Sequence, residues 1–327
     1  MGAYFLRRLL GFIPTFFGIT VLSFAVMHLA PGKPTDALTD LNVKISLQAK
    51  EKLIHLYGLD RPLHEQYLRW VDRTIRGDFG RSFKDGRPVT EKVMERIPIT
   101  VLLNTAALAL VLLLAIPIAV WSAEKQGSWM DHAFTGFVLI GFALPSFWAA
   151  LLALDFFSVR LGWLPVSGLF SLEADRWPLP ARFGDLVRHL VLPLAVMVLG
   201  SLAGISIYVR SGMVEVLRQD YIRTARAKGL AYRRILFRHA LRNALLPLIT
   251  LLGLSVPGLL GGSVILETMF SIPGMGRLFY DSVIARDYPV IMALLVLGAV
   301  LTLLGNLLAD MAYAVADPRI RYGGGAQ

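Results

Sequence analysis

Residues 220–243 read "DYIRTARAKGLAYRRILFRHALRN". Arg223, Arg226, Lys228, Arg233, Arg234, Arg238 and Arg242 concentrate cations there, and such clusters are the electrostatic footprint of phosphate recognition. The chemistry on offer is binding, to nucleic acid or to lipid phosphates. Catalytic constellations are missing. There is no H-E-x-x-H, no G-x-S-x-G and no cysteine, so no thiol nucleophile or Cys-based metal site. "PGKP" at 31–34 lacks the spacing of a phosphate loop. The carboxylates within or beside apolar runs are Asp155, Glu267 and Asp310. All three fall near a run's end, where a carboxylate is hydrated, and no buried relay of acids or histidines emerges. His28 and Asn104 read as groups satisfied by their neighbours.

The elements that carry these residues are apolar. Of 327 residues, 55% are hydrophobic and 17% charged, against about 25% charged in a typical soluble domain. A crossing needs about 20 mainly apolar residues. Stretches of that kind cover Leu9–Ala30, Ile99–Ser122, Ala133–Val159, Leu190–Val209, Ala244–Leu266 and Val290–Val315. The first is too long for a signal-peptide core and ends in "HLAPGKP", so it reads as an uncleaved span. The expectation is an all-α integral membrane protein with six transmembrane helices. Pro14, Pro117, Pro145, Pro193, Pro247 and Pro257 lie in the first five and are candidate kinks. Together they suit a bundle that opens and closes around a path.

Orientation follows from the connections. With the amino terminus inside, the segments 1–8, 123–132, 210–243 and 316–327 are cytoplasmic and carry the basic excess. Both termini are then cytoplasmic, and the loops near 160–189 and 267–289 are external. The basic segment is tethered between two spans, which argues against a nucleic-acid partner. The chain divides into 1–98, a first span plus a long external segment; 99–316, a five-helix core with the cytoplasmic loop 210–243; and 317–327, a cytoplasmic tail. Within the external segment, Leu63, Tyr67, Trp70, Val71 and Ile75 form one stripe of a helix opened by Pro62 and ended by Gly77. A shorter helix is expected from Ser46 to Gly58, and "GDFGRSFKDGRP" reads as a turn-rich connector.

In the basic loop, Asp220 is positioned to cap a short helix "YIRTARAK" that Gly229 would end. Helices below about 12–15 residues are marginal in water, so this one needs a surface to pack on. Tyr221, Ala225 and Lys228 share a face where the small alanine permits close approach. Arg234, Arg238 and Arg242 follow at i, i+4 and i+8, a stripe suited to lipid phosphates.

"DYIRTARAKGL…RHALRNALLPLIT" resembles the cytoplasmic loop of ABC-importer permeases of the dipeptide/oligopeptide/nickel family. So do "FLRRLLGFIPTFFGITVLSFAVMHLAPGKP", "LGLDRPLHEQYLRW", "GDFGRSF", "ETMFSIPGMGRLFYDSVIARDYPV" and "ADPRIR", which follow in order along nearly the whole chain. The likeness is greatest to the B-type subunit of a dipeptide or oligopeptide permease. In the wider superfamily the loop reads E-A-A-x-x-x-G; here Arg223, Thr224 and Ala225 stand before Gly229. The resemblance implies that Asp220, Tyr221, Arg223, Thr224, Ala225, Lys228 and Gly229 form a coupling helix seated on an ATP-hydrolysing partner. It implies two ATPase subunits that use ATP and Mg, a second related permease chain forming a heterodimer, an external substrate-binding protein, and the bacterial inner membrane. This chain itself would be no enzyme and bind no cofactor. The binding protein would land on outer loops, with Arg277, Asp281, Arg286 and Asp287 as polar contacts. A permease for nickel or another small solute, and a secondary transporter or channel, are the alternatives.

Overall fold

A computed structural model describes residues 2–29 and 60–316. The expected helix from Ser46 to Gly58 and the tail 317–327 lie outside the described residues. The chain runs through α1 (Gly2–Leu29), α2 (Leu63–Ile75), α3 (Val89–Glu124), α4 (Trp129–Ala143) and α5 (Ser146–Ala153, continuing π-wound over Leu154–Arg160). It continues through α6 (Leu179–Leu217), α7 (Asp220–Ala227) and α8, which is α-helical at Tyr232–Arg234 and Arg242–Ala244 but π-wound over Ile235–Leu241. The last four are α9 (Leu246–Gly261), α10 (Val264–Met269), α11 (Met275–Ile284) and α12 (Tyr288–Ala316). Among the described residues, β-pairing is limited to one bridge between Arg81 and Pro88.

Five helical runs are long and apolar enough to cross a membrane: Leu10–Leu29, Val89–Glu124, Leu179–Leu217, Tyr232–Gly253 and Tyr288–Leu307. The expected third span is not one rod. α4 and α5 meet at 100°, and counting the pair as one broken span gives six. The break sits at Pro145, which cannot donate a helical N–H and forces Leu144 into an extended conformation (ψ 125°). Pro14, Pro98, Pro117 and Pro193 lie inside helices that continue past them. The expected fifth span also stops short. α9 ends where Gly262 turns at φ +70°, and Ser263 caps α10 by accepting from the Leu266 N–H.

α3 lies along α6, α9 along α12, and α3 also touches α9. Where α9 ends, its last carbonyls lack helical partners, and Asn104 of α3 donates to the Leu259 carbonyl at 3.0 Å. Helix α2, expected on the external side, matches its expected bounds, from Pro62 to the positive-φ Gly77. Tyr67 meets the buried Thr20 of α1 at 3.0 Å, and Trp70 packs with Met27, Ile291 and Met292. Leu63 and Ile75, at the ends of the expected stripe, are exposed.

The connector 76–88 is fastened to the bundle by charge. Lys92 donates to Asp85 at 2.8 Å and to Ser82 at 2.9 Å, while Ser82 and the Phe83 N–H donate to Asp287. Burial works to raise the Asp85 carboxyl, but the Lys92 ammonium and the Ser82 hydroxyl outweigh it and hold it down at about 2. A depressed carboxyl stabilises the fold above its ordinary value of 3.8 and loses that contribution as pH falls through about 2. Hydrogen-exchange protection of residues 82–87 should therefore fall across that window and stay level above it.

Candidate functional site

α7 is eight residues long and strongly amphipathic, and packing decides which face it hides. Ile222 is fully buried and Ala225 nearly so, among Ala119, Val120 and Ala123 of α3, Val209 and Met213 of α6, and Ile235, Leu236 and Ala240 of α8. Burying one isoleucine contributes about 1.5–3 kcal/mol, enough to hold a helix too short to persist alone. The neighbouring α8 is stitched to it by Asn243, which donates to the Tyr221 hydroxyl at 2.7 Å.

The expected docking face is therefore corrected. Ala225 points into the chain's own core and is unavailable to a partner. The outward face is the opposite one, formed by Asp220, Arg223, Thr224 and Ala227, all exposed. Ala227 is the small residue that permits close approach from outside. Tyr221 and Lys228 are exposed on the flank.

Asp220 is not the cap. Gln219 holds that position and Asp220 is the first helical residue, where its charge still complements the helix dipole. Its 3.5 Å pair with Arg223 is exposed and contributes little. The far end is as expected. Gly229 adopts φ +72°, its N–H bonds the Arg226 carbonyl at 2.9 Å, and the Leu230 N–H bonds that of Ala225 at 3.3 Å. This double closure requires a left-handed residue. Gly229→Val should cost about 1–2 kcal/mol locally, because a Cβ opposes that conformation. If α7 is the coupling helix that the resemblance implies, the expected outcome is normal membrane insertion with sharply lower ATP-driven uptake, measured on matched amounts of protein.

The block under α7 is closed by a second charge cluster that sequence reading did not single out. Arg210 of α6 donates to both carboxylate oxygens of Asp131 in α4, at 2.9 and 2.6 Å, and to Ser122 of α3 at 3.0 Å. Asp131 is buried and also accepts from the Gly127 N–H. α3, α4 and α6 are thus tied together beside the α3–α6 surface on which α7 rests. The signal was present as an Arg and an Asp at the edges of two apolar runs, but nothing local pairs them.

Arg234, Arg238 and Arg242 are all exposed on α8, whose π-wound turns differ from the regular helix expected. Ile235, Leu236 and Ala240 form its buried side.

On the opposite side of the bundle, α10, α11 and the turn to α12 form a hairpin. Arg277 is half-buried and lies 3.7 Å from Asp281, and Asp281 and Arg286 are exposed. Asp287 is a correction. It is 1% exposed and its carboxylate is occupied by Ser82, Phe83 and Lys92, so it offers nothing to a partner. Arg286 holds φ +53° where α11 ends. Asp155 is also exposed and pairs with Arg160 at 2.7 Å.

Comparison with known proteins converges on one family. Residues 115–322 match the binding-protein-dependent transport system inner membrane component, and residues 1–104 match the N-terminal region of such membrane components. The chain is 47% identical over 323 residues to the oligopeptide transport system permease protein AppB of Bacillus subtilis, covering 98% of this chain and 100% of that one. It is 41% identical to the di/tripeptide transport system permease protein DppB of Pseudomonas aeruginosa and 40% identical to the dipeptide transport system permease protein DppB of Escherichia coli K12. Each of these matches covers 98% of this chain and 99% of the relative. The chain therefore belongs to the inner-membrane permease components of binding-protein-dependent ABC transport systems.

Proposed function

We propose that the chain is the B-type permease subunit of an ATP-driven importer that moves dipeptides or oligopeptides across the cytoplasmic membrane. The observation that supports this most is its end-to-end match to three permeases whose systems are named for peptides. In this reading ATP and Mg are handled by two ATPase subunits, a second related permease completes the pathway, and an external binding protein delivers the peptide. The ATPases seat on Arg223, Thr224 and Ala227 of α7. Ile222 and Ala225 then pass their motion to the inner ends of α3 and α6, shifting the bundle between two packings that each partner state favours differently. Arg234, Arg238 and Arg242 anchor α8 at anionic lipid, at about 1 kcal/mol per residue. Arg277, Asp281 and Arg286 are external contacts for the binding protein.

Proteoliposomes holding the full complex test the substrate. Labelled peptide should accumulate only with internal ATP and external binding protein. Uptake of nickel instead, or peptide uptake on an ion gradient without ATPases, contradicts the proposal. Orientation is tested separately, because the chain has no native cysteine. Single cysteines at the exposed Thr224 and Leu172 should react with an impermeant maleimide from the inside and the outside respectively. The reverse pattern contradicts cytoplasmic termini.

A further inference from the structure

Glu267 is 0% exposed, and the coupling described above gives it no task. Its surroundings are specific. Thr100 of α3 donates to Oε1 at 3.2 Å, and the Arg277 N–H at the start of α11 donates to Oε2 at 3.0 Å. The same Thr100 hydroxyl oxygen accepts from the Met275 N–H at 2.8 Å. One threonine thus bridges α3 to both α10 and α11.

Space around the carboxylate is reserved by glycines. A Cβ on Gly262, where α9 ends, would lie 2.6 Å from Glu267 Oε1, and one on Gly274 would also collide with the carboxylate. A Cβ on Gly276 would strike the Val264 N at 2.6 Å. Glu267 therefore sits against Gly262, the residue that closes α9, as well as against α3 and α11. Two further contacts come from the same side of α3. Arg96 reaches the Pro273 carbonyl at 3.4 Å and Lys92 faces Asp287 at 3.7 Å. Lys92, Arg96 and Thr100 fall at i, i+4 and i+8, so successive turns of α3 grip the hairpin along its length.

We propose that Glu267, through Thr100, is a positioning residue that joins the external hairpin to α3 and α9, so that all three move as one body when cargo is delivered. This rests on the importer reading above. A ligand pressing on the exposed side of α11 would shift the outer end of α3, whose inner end supports α7, and so signal to the ATPases.

Thr100→Val removes the bridging hydroxyl at nearly constant volume, and Thr100→Ser keeps it. In the reconstituted full complex, Thr100→Val should keep basal ATP hydrolysis. It should lose stimulation by loaded binding protein about tenfold, the size of one buried hydrogen bond. Thr100→Ser should restore the stimulation, which a volume effect would not. Stimulation undiminished in Thr100→Val, or lost equally in Thr100→Ser, overturns the proposal. A second measurement is independent of transport. Spin labels at Met94→Cys and Ile284→Cys, both exposed positions, should give one narrow distance that is the same with and without ATP. Thr100→Val should broaden it. A distance in the otherwise unchanged chain that shifts with ATP also overturns the proposal. A complex that shows no stimulation even with Thr100 intact would instead count against the importer reading, while the label distance still decides the role of Glu267.

Discussion

Ala227→Trp is expected to abolish ATP-driven uptake while leaving the chain folded and inserted. Ala227 lies at the centre of the exposed face of α7, opposite the buried Ile222 and Ala225. An indole there meets no atom of this chain's core, so its cost falls on the partner that must approach closely. Blocking a central, well-packed contact costs about 2 kcal/mol or more of association, a loss in affinity of roughly thirtyfold. Co-purification of the ATPase should fall with uptake. Ala225→Trp is the control with a different signature. That side chain would overpack the core at a cost of about 1–3 kcal/mol, lowering the melting temperature before any partner is added. Equal ATPase retention in Ala227→Trp and in the unsubstituted chain would show that this face is not the seat.

Arg210→Met is expected to produce the largest loss of stability at the end of the bundle that carries α7. It leaves the Asp131 carboxylate buried with only Ser122 and the Gly127 N–H as partners. Removing one member of a buried ion pair costs about 3–5 kcal/mol, and the partial exposure of Arg210 places this case toward the lower figure. Thermal melting in detergent should show the single substitution well below the unsubstituted chain. Adding Asp131→Leu should recover part of the loss, because the stranded charge is then gone. If the double substitution melts no higher than the single one, the cost lies in lost packing around the arginine stem and not in the stranded charge.

The spans were legible because apolar length is a property of composition, and composition is local. The break in the third span was less so. "VLIGFALPSFWAALLAL" is apolar throughout, so hydropathy runs straight across a 100° bend. Pro145 carried the signal, yet Pro117 and Pro193 look the same in sequence and sit in continuous helices. What separates them in the fold is the extent of packing: α3 and α6 contact each other far more than the shorter α4 and α5 contact α6. The early end of α9 was encoded in "GGS", a left-handed glycine followed by a capping serine, within a run that remained apolar beyond it.

The candidate site divides in the same way. Gly229 was readable because a helix stop is a backbone property of one residue. The inward face of α7 was not, although Ile222 is the one large aliphatic residue on that helix and Ala225 follows at i+3. Its proper weight required knowing that α3, α6 and α8 converge there. Asp287 looked like a polar turn residue, but its partner Ser82 lies 205 positions away. Long-range closure of that kind leaves no local trace. Glu267 could be marked as a carboxylate at the edge of a span, while the room that Gly262 and Gly274 leave for it depends on how the folded segments meet.

The proposed coupling of α7 to an ATP-hydrolysing subunit through its outward face is open to a direct test. Single cysteines placed one at a time along 220–229, in a chain with none of its own, test it directly by crosslinking within the native complex. Crosslinks to the ATPase should form from Arg223→Cys, Thr224→Cys and Ala227→Cys, and be absent from Ile222→Cys and Ala225→Cys. Crosslinks from none of the outward positions in an actively transporting complex would contradict the coupling role of α7, and crosslinks from Ile222→Cys and Ala225→Cys alone would contradict the face assigned to it.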